Sequence, residues 1–127
     1  NQKVEQYDLR EHVIFLGRRN DIPDLLKMID ILIIPSAFEG FPLAGLAAAA
    51  AAGVPVIACD AAGAEEFIRV SRDGVTFAED DVDSVADAVG KILEGKEQYK
   101  KAGIEFASQM SNREYSTKVE QIFKSIE

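Results

Sequence analysis

The sequence is poor in reactive side chains. Its single cysteine, Cys59, excludes an intramolecular disulfide and suits a reducing compartment, so a cytoplasmic location is expected. The only histidine, His12, has no second ligand at metal-binding spacing, so no metal site is expected and His12 reads as a surface residue ahead of a strand. No paired carboxylates, nucleophile–base pair or zinc spacing suits hydrolysis. No apolar run reaches the roughly 18 residues needed to cross a membrane, and no signal-peptide pattern stands at the start. Internal repeats and disordered linkers are also missing. Positive charge is scarce: 14 Lys and Arg stand against 22 Asp and Glu, a formal net charge of −8. That balance argues against nucleic acid or an anionic membrane as the main partner. An anionic ligand would have to be held by local dipoles and a few cations.

What is present is an ordinary globular composition, 47% hydrophobic and 28% charged over 127 residues. A chain of this size forms at most one domain, residues 1–127, and buries roughly two thirds of its unfolded surface. It begins at Asn1 without a methionine, in a stretch that reads as helix, and is expected to be a truncated piece of a longer protein. Its organising stretch runs from Ile31 to Leu43. The run Ile31-Leu32-Ile33-Ile34, ended by Pro35, is too short for a helix and too uniformly apolar for a half-exposed strand; it predicts a parallel strand buried on both faces. After the turn at Ser36 and Ala37, Phe38-Glu39-Gly40-Phe41-Pro42 leads into an alanine-rich helix, with Pro42 suited to the first helical position. Gly40 allows a ligand to approach the backbone. A helix start carries unpaired N–H groups and the positive end of the helix dipole, and ligands of open α/β sheets sit beyond the carboxyl ends of strands. The stretch could therefore hold a phosphate or a sugar hydroxyl.

Other elements follow from local signals. Residues 1–11 predict a short helix, Val13–Leu16 a buried strand stopped by Gly17, and residues 21–29 a helix with Asp21 as cap and Pro23 and Asp24 in its first turn. Leu43–Ala52 is helical, its small side chains able to lie close to a sheet, with Gly53 as left-handed cap and Pro55 beyond it. Val54–Cys59 reads as a strand, residues 64–68 as a short helix and Gly74–Ala78 as a last strand. Asp81 or Asp83 caps a helix with a 3.6-residue apolar period from Val82 to Leu93, ended by Gly95. Residues 97–110 and 111–126 predict two more helices, the second opening with the capping box Ser111-Asn112-Arg113-Glu114. Strands alternating with helices imply an α/β fold with a parallel sheet of about four strands.

Four motifs in order resemble one family: Val13-Ile14-Phe15-Leu16-Gly17; Asp30-Ile31-Leu32-Ile33-Ile34-Pro35-Ser36; Phe38-Glu39-Gly40-Phe41-Pro42-Leu43; and Ala51-Ala52-Gly53-Val54-Pro55-Val56-Ile57-Ala58-Cys59-Asp60. The family is that of the retaining glycosyltransferases with two Rossmann-like domains (GT-B type), which assemble capsules, exopolysaccharides and lipopolysaccharides. The similarity covers the second half of the C-terminal, donor-binding domain, from about Leu9 to Leu93, and is weaker beyond. It implies a Rossmann-like sheet and a nucleotide-sugar donor as substrate, with no cofactor and no metal. Glu39 would hold the donor sugar's hydroxyls, the backbone amides of Gly40, Phe41 and Leu43 the diphosphate, and Gly17 and Arg18 would lie against the base.

The departures are informative. The family's ribose-gripping glutamate falls at Ala47, eight positions after Glu39; counting back from Gly53 gives Ala48, also alanine. The basic pair that neutralises the leaving diphosphate, the first two strands of the donor domain and the acceptor domain lie outside the matched part. In the family those two strands sit between the strand matching Val13–Leu16 and the one matching Ile31–Ile34. A fragment without them must close the gap, expose strand edges, or complete its sheet from a second copy, making a homodimer. Such a chain alone is expected to be inactive in transfer of sugar to a glycan or lipid-linked acceptor. Plainer readings exist for several residues. Glu39 could be a solvated acid at a helix start, Arg18 and Arg19 a solvated loop, Ala47–Ala52 a packing face, and Glu65 and Glu66 partners of a helix dipole. The alternative to a donor-binding part is a non-enzymatic α/β scaffold, engineered or truncated, concerned with folding or assembly; a nucleotide-sugar epimerase ranks third.

Overall fold

The computed structural model describes residues 2–38, 40, 42–60 and 62–110. In chain order the elements are α1 (Gln2–Gln6), α2 (Ile22–Leu26), β1 (Leu32–Ile34), α3 (Leu43–Ala52), β2 (Val56–Cys59), α4 (Ala62–Ser71), β3 (Gly74–Phe77), α5 (Val82–Glu94) and α6 (Lys96–Gln109). The three strands form one parallel sheet in the order β1-β2-β3. Ile33 pairs with Ile57, and Ile57 in turn with Val75. The expected α/β class and parallel sheet are therefore present, with three strands among the described residues.

Caps and glycines between the elements fix where the strands and helices begin and end. The αL cap at Gly53 (φ 63°) donates its N–H to the carbonyls of Ala48 and Ala49, which stops α3 and turns the chain back into β2. Gly74 opens β3 because nothing larger fits: a Cβ there would stand 1.8 Å from the Val56 carbonyl oxygen. Asp81, of the two cap candidates, is the one used. Its carboxylate accepts from the N–H groups of Asp83 at 3.0 Å and Ser84 at 3.1 Å, so two orphan donors of α5 are satisfied by one side chain.

The sheet is covered on both sides, but unevenly. On one face Ile34, Val56 and Ala58 pack with Ala64 and Phe67 of α4, and Phe106 of α6 meets Phe67 edge to face at 5.7 Å. Phe67 is wholly buried, a burial worth about 1.5–3 kcal/mol. On the other face Ile57, Cys59 and Phe77 pack with Ala88 and Ile92 of α5. Cys59 is buried, as its place at a strand end suggested. A third cluster, Leu26, Ala48 and Val54, ties α2 to α3. α3 comes close because its inward residues are small. A Cβ on Gly45 would stand 2.9 Å from a Phe67 ring carbon, and Ala48 and Ala49 are fully buried.

Two expectations are corrected. Val13–Leu16 is not a strand: it has no regular structure, and Ile14, Phe15 and Leu16 are exposed (80%, 65% and 52%). Among the described residues none of these three makes a backbone hydrogen bond. A strand exists only by pairing, and no described strand lies beside this one. For the same reason β1 is not buried on both faces. Among the described residues it pairs with β2 alone, and Ile33 is 43% exposed while α5 packs mainly on β2 and β3. Other boundaries shift modestly: α1 and α2 are shorter than expected, α4 is longer, and Pro42 is the N-cap residue of α3 instead of its first helical residue. The helix expected over 111–126 lies outside the described residues.

Candidate functional site

The chain leaves β1 at the carboxyl edge of the sheet and re-enters regular structure at α3, so the α3 start lies beside the strand ends. Pro42 anchors that start: its ring is fully buried and its carbonyl accepts the Gly45 N–H at 2.9 Å. Having no N–H and no polar side chain, it leaves the end electrostatically unfilled. α3 has no side-chain cap and no acid in its first turn. Among the described residues nothing accepts from the amides of Leu43 or Ala44. Both residues are exposed, Leu43 by 70%. A start of this kind offers unpaired donors and the positive end of the dipole to an anion.

Around it the surface is open. Gly40 is exposed, and among the described residues nothing lies within 4 Å of where its Cβ would stand. Phe38, which opens the motif but was given no role in it, projects into solvent (92% exposed). Ala47 is exposed one turn below Leu43 on the same side of α3, so a glutamate at this position would face outward too. Glu39 and Phe41, the expected sugar and diphosphate residues, lie outside the described residues.

The other candidates are scattered. Gly17 (φ 62°) and Arg18 sit in the exposed loop after Leu16, and no hydrogen bond or ion pair among the described residues joins that loop to the α3 start. Next to them Arg19 binds both oxygens of Asp21, with Nε 2.8 Å from Oδ1, and this bond holds the Asp21 carboxyl below its ordinary range. Asp21 therefore serves as ion partner to Arg19 and makes no side-chain cap to α2. Asp30, just before β1, is held low by the Lys96 ammonium 2.6 Å away, a pair that ties the β1 entrance to the α5–α6 corner. Glu66 lies 3.8 Å from Arg69 one turn on, an exposed ion pair where the plainer reading was pairing with the helix dipole. His12 is exposed, and among the described residues no three His, Cys, Asp or Glu side chains gather as a metal site would need.

One polar pair was not anticipated. Asp73 is 1% exposed; one carboxyl oxygen accepts from Ser71 Oγ at 2.6 Å, and the other, Oδ2, has no partner among the described residues. It faces α6, where Gly103 leaves room for it. Burial pushes its pKa up to about 6, with the Ser71 hydrogen bond opposing. In sequence, Arg72-Asp73-Gly74 reads as a turn, and nothing local marks Asp73 as buried.

The fold is a parallel α/β domain with an uncapped, acid-free helix start beside its strand ends. The chain belongs to the glycosyl transferases group 1 family, whose pattern it matches over residues 1–109. It is similar to the UDP-Gal:alpha-D-GlcNAc-diphosphoundecaprenol alpha-1,3-galactosyltransferase of Escherichia coli, 35% identical over 89 residues, covering 70% of this chain and 23% of that protein. It is also similar to the lipopolysaccharide core biosynthesis mannosyltransferase LpsB of Rhizobium meliloti (strain 1021), 30% identical over 97 residues, 75% of this chain and 27% of that one. Among solved structures, Anabaena Alr3699/HepE in complex with UDP superposes with a TM-score of 0.80 at 26% identity, over 98% of this chain and 35% of its own. The same protein in complex with UDP-glucose gives 0.79. The chain thus spans about a quarter of the length of those two relatives and about a third of the structural neighbour.

Proposed function

We propose that this chain is the donor-binding part of a retaining glycosyltransferase, acting in the cytoplasm and passing a sugar from a nucleotide to a glycan or lipid-linked acceptor. The observation that carries the reading is the uncapped, acid-free start of α3 at the carboxyl ends of the strands. The UDP and UDP-glucose bound by the Anabaena neighbour support the ligand class. In this reading the amides of Gly40, Phe41 and Leu43 receive the diphosphate, Glu39 holds the donor sugar's hydroxyls, and Gly17 and Arg18 lie against the base. Ala47 stands where a ribose-binding carboxylate would be, so ribose is held less firmly.

The chemistry follows from charge. As the sugar–phosphate bond breaks, negative charge grows on the departing nucleotide diphosphate. Fixed N–H dipoles aimed at that position stabilise the charge without reorganising, an effect often worth several kcal/mol. The Glu39 carboxylate orients the sugar so that attack comes from one face only. The basic pair and acceptor domain of the family lie outside the matched part, so the chain by itself binds donor and does not transfer.

Calorimetric titration with UDP-glucose tests the reading. Heat fitting a millimolar or tighter site that disappears in Glu39→Gln is the expected result. Heat indistinguishable from dilution across UDP-, GDP- and ADP-sugars would overturn it in favour of a non-enzymatic scaffold, and measurable sugar transfer by the isolated chain would overturn its inactivity.

A further inference from the structure

The seat of α6 is polar at its centre. Of its 14 residues only Gly103 is buried, with Ala102 and Phe106 half-buried beside it. A helix with so little apolar surface beneath it is held weakly and can open by itself while the core stays folded. Under Gly103 lies a carboxyl group. A Cβ on Gly103 would stand 3.0 Å from Asp73 Cβ, 3.5 Å from Asp73 Oδ2 and 3.3 Å from Ala49 Cβ of α3. The helix backbone thus rests on a side chain that is 1% exposed and has one oxygen without a partner among the described residues. The proton decides what this contact costs. A neutral carboxyl can donate from Oδ1 to Ser71 Oγ, 2.6 Å away, and sets only a carbonyl oxygen against Gly103. An ionised carboxyl sets a charged oxygen there, shielded from water and without a donor, at a much higher cost.

We propose that Asp73 is a pH-operated latch for α6: the helix stays seated while the carboxyl is protonated, and its opening from α3 and α4, with the core still folded, is favoured as the carboxyl ionises. Neighbouring charges do not offset this. Arg69 and Arg72 on the α4 side and Lys100 and Glu105 on α6 are exposed, and Lys96 is taken by its ion pair. α3 and β3 carry no ionisable side chain, and β2 has only Cys59, at its other end. Burial is the largest influence on the Asp73 carboxyl, and Ser71 is the only other side chain acting on it. The folded carboxyl titrates at about 6 against its ordinary 3.8, so the seat is fully favoured below about pH 4 and loses this contribution as the pH rises through 6. A difference of that size makes the open helix roughly fiftyfold more populated at pH 7 than at pH 4. The latch is separate from the donor reading, because α6 sits on Ala49 and Gly53, at the end of α3 away from Leu43.

Amide hydrogen exchange of the 127-residue chain, corrected for the intrinsic effect of pH on exchange, reads the latch residue by residue. At pH 7 the amides of α6 should be less protected than those of β2. Their opening should rise roughly fiftyfold from pH 4 to pH 7, the span over which Asp73 ionises. Asp73→Asn, which cannot ionise, should remove that rise and leave β2 protected. Ser71→Ala removes the one side-chain bond that favours the charged form, so it should move the midpoint of the rise to higher pH. Amides of α6 that exchange only together with those of β2 would overturn the proposal, since the helix would then leave only when the core unfolds. Opening of α6 that does not depend on pH, a rise that persists in Asp73→Asn, or a midpoint unmoved in Ser71→Ala would each overturn it too.

Discussion

Two helix starts in this small domain are handled in opposite ways. α5 is closed: Asp81 accepts from two of its first amides, and Asp83 adds an acid in the first turn. α3 is left open: its cap residue is proline, its first turn has no acid, and small exposed residues follow. Propensity does not explain the contrast, since an aspartate at position 42 would serve α3 as Asp81 serves α5. α2 and α6 also lack a side-chain cap, but each carries an acid in its first turn; α3 has neither. A helix start that receives a ligand must leave its donors for that ligand, and the helix gives up a cap's worth of stability, about 1 kcal/mol, to do so.

The sharpest way to break the contrast is to close α3. Leu43→Asp puts a carboxylate in its first turn at an exposed position, where the dipole welcomes it. The fold should lose nothing. A diphosphate approaching the same amides would meet a charge within about 4 Å, a repulsion on the order of 4 kcal/mol at a partly solvated site. UDP-glucose affinity should therefore fall at least about a hundredfold, with the melting temperature equal or higher. Unchanged calorimetric affinity would mean that the ligand does not use this end.

At the far end of α4 a polar group is closed in too completely. The buried Asp73 carboxyl has one oxygen bonded to Ser71 and one without a partner among the described residues. Its folded-state pKa of about 6 lies above its ordinary 3.8, so folding favours the protonated form. The resulting stability is fully present below about pH 4, declines as the pH rises towards 6, and is gone above it. A shift of this size corresponds to roughly 3 kcal/mol. Denaturant unfolding between pH 4 and pH 7 should show stability falling over that window, and Asp73→Asn, which cannot ionise, should flatten the slope. A slope that persists in Asp73→Asn would assign it to other groups.

How far the sequence foretold this architecture depends on how local each signal is. α3, β2 and α5 were legible because their stops and caps, Gly53, Pro55, Asp81 and Gly95, act within a few residues. Cys59 was legible for the same reason, as a small residue ending an apolar run. Val13–Leu16 was misread because composition says only that such a run should be buried, while pairing depends on strands elsewhere. The exposure of Ile33 is the same error seen from the neighbouring edge. Asp73 was missed because Asp-Gly is ordinary turn chemistry; its burial comes from α6 arriving some thirty residues later, as far as Gly103 lies along the chain. The α3 start reads in sequence as suited to an anion, but its openness could not be read there, because whether a cap residue fills a helix end is a matter of coordinates.

The mildest perturbation opens the closed helix. Asp81→Ala removes the acceptor for the Asp83 and Ser84 amides and leaves both to water. The loss should be about 1 kcal/mol of folding stability, typical of a deleted cap. Partial compensation is built in, since Ser84 Oγ still donates to the Asp81 carbonyl at 2.8 Å and still receives the Ala78 N–H at 3.1 Å. UDP-glucose affinity should not change, because the Asp81 cap belongs to α5, which packs on β2, β3 and α6. Chemical denaturation and titration of the same preparation measure both quantities. If opening α5 weakened nucleotide binding as much as closing α3 does, the two helix ends would not be functionally distinct, and the assignment of the ligand to α3 would fail with that distinction.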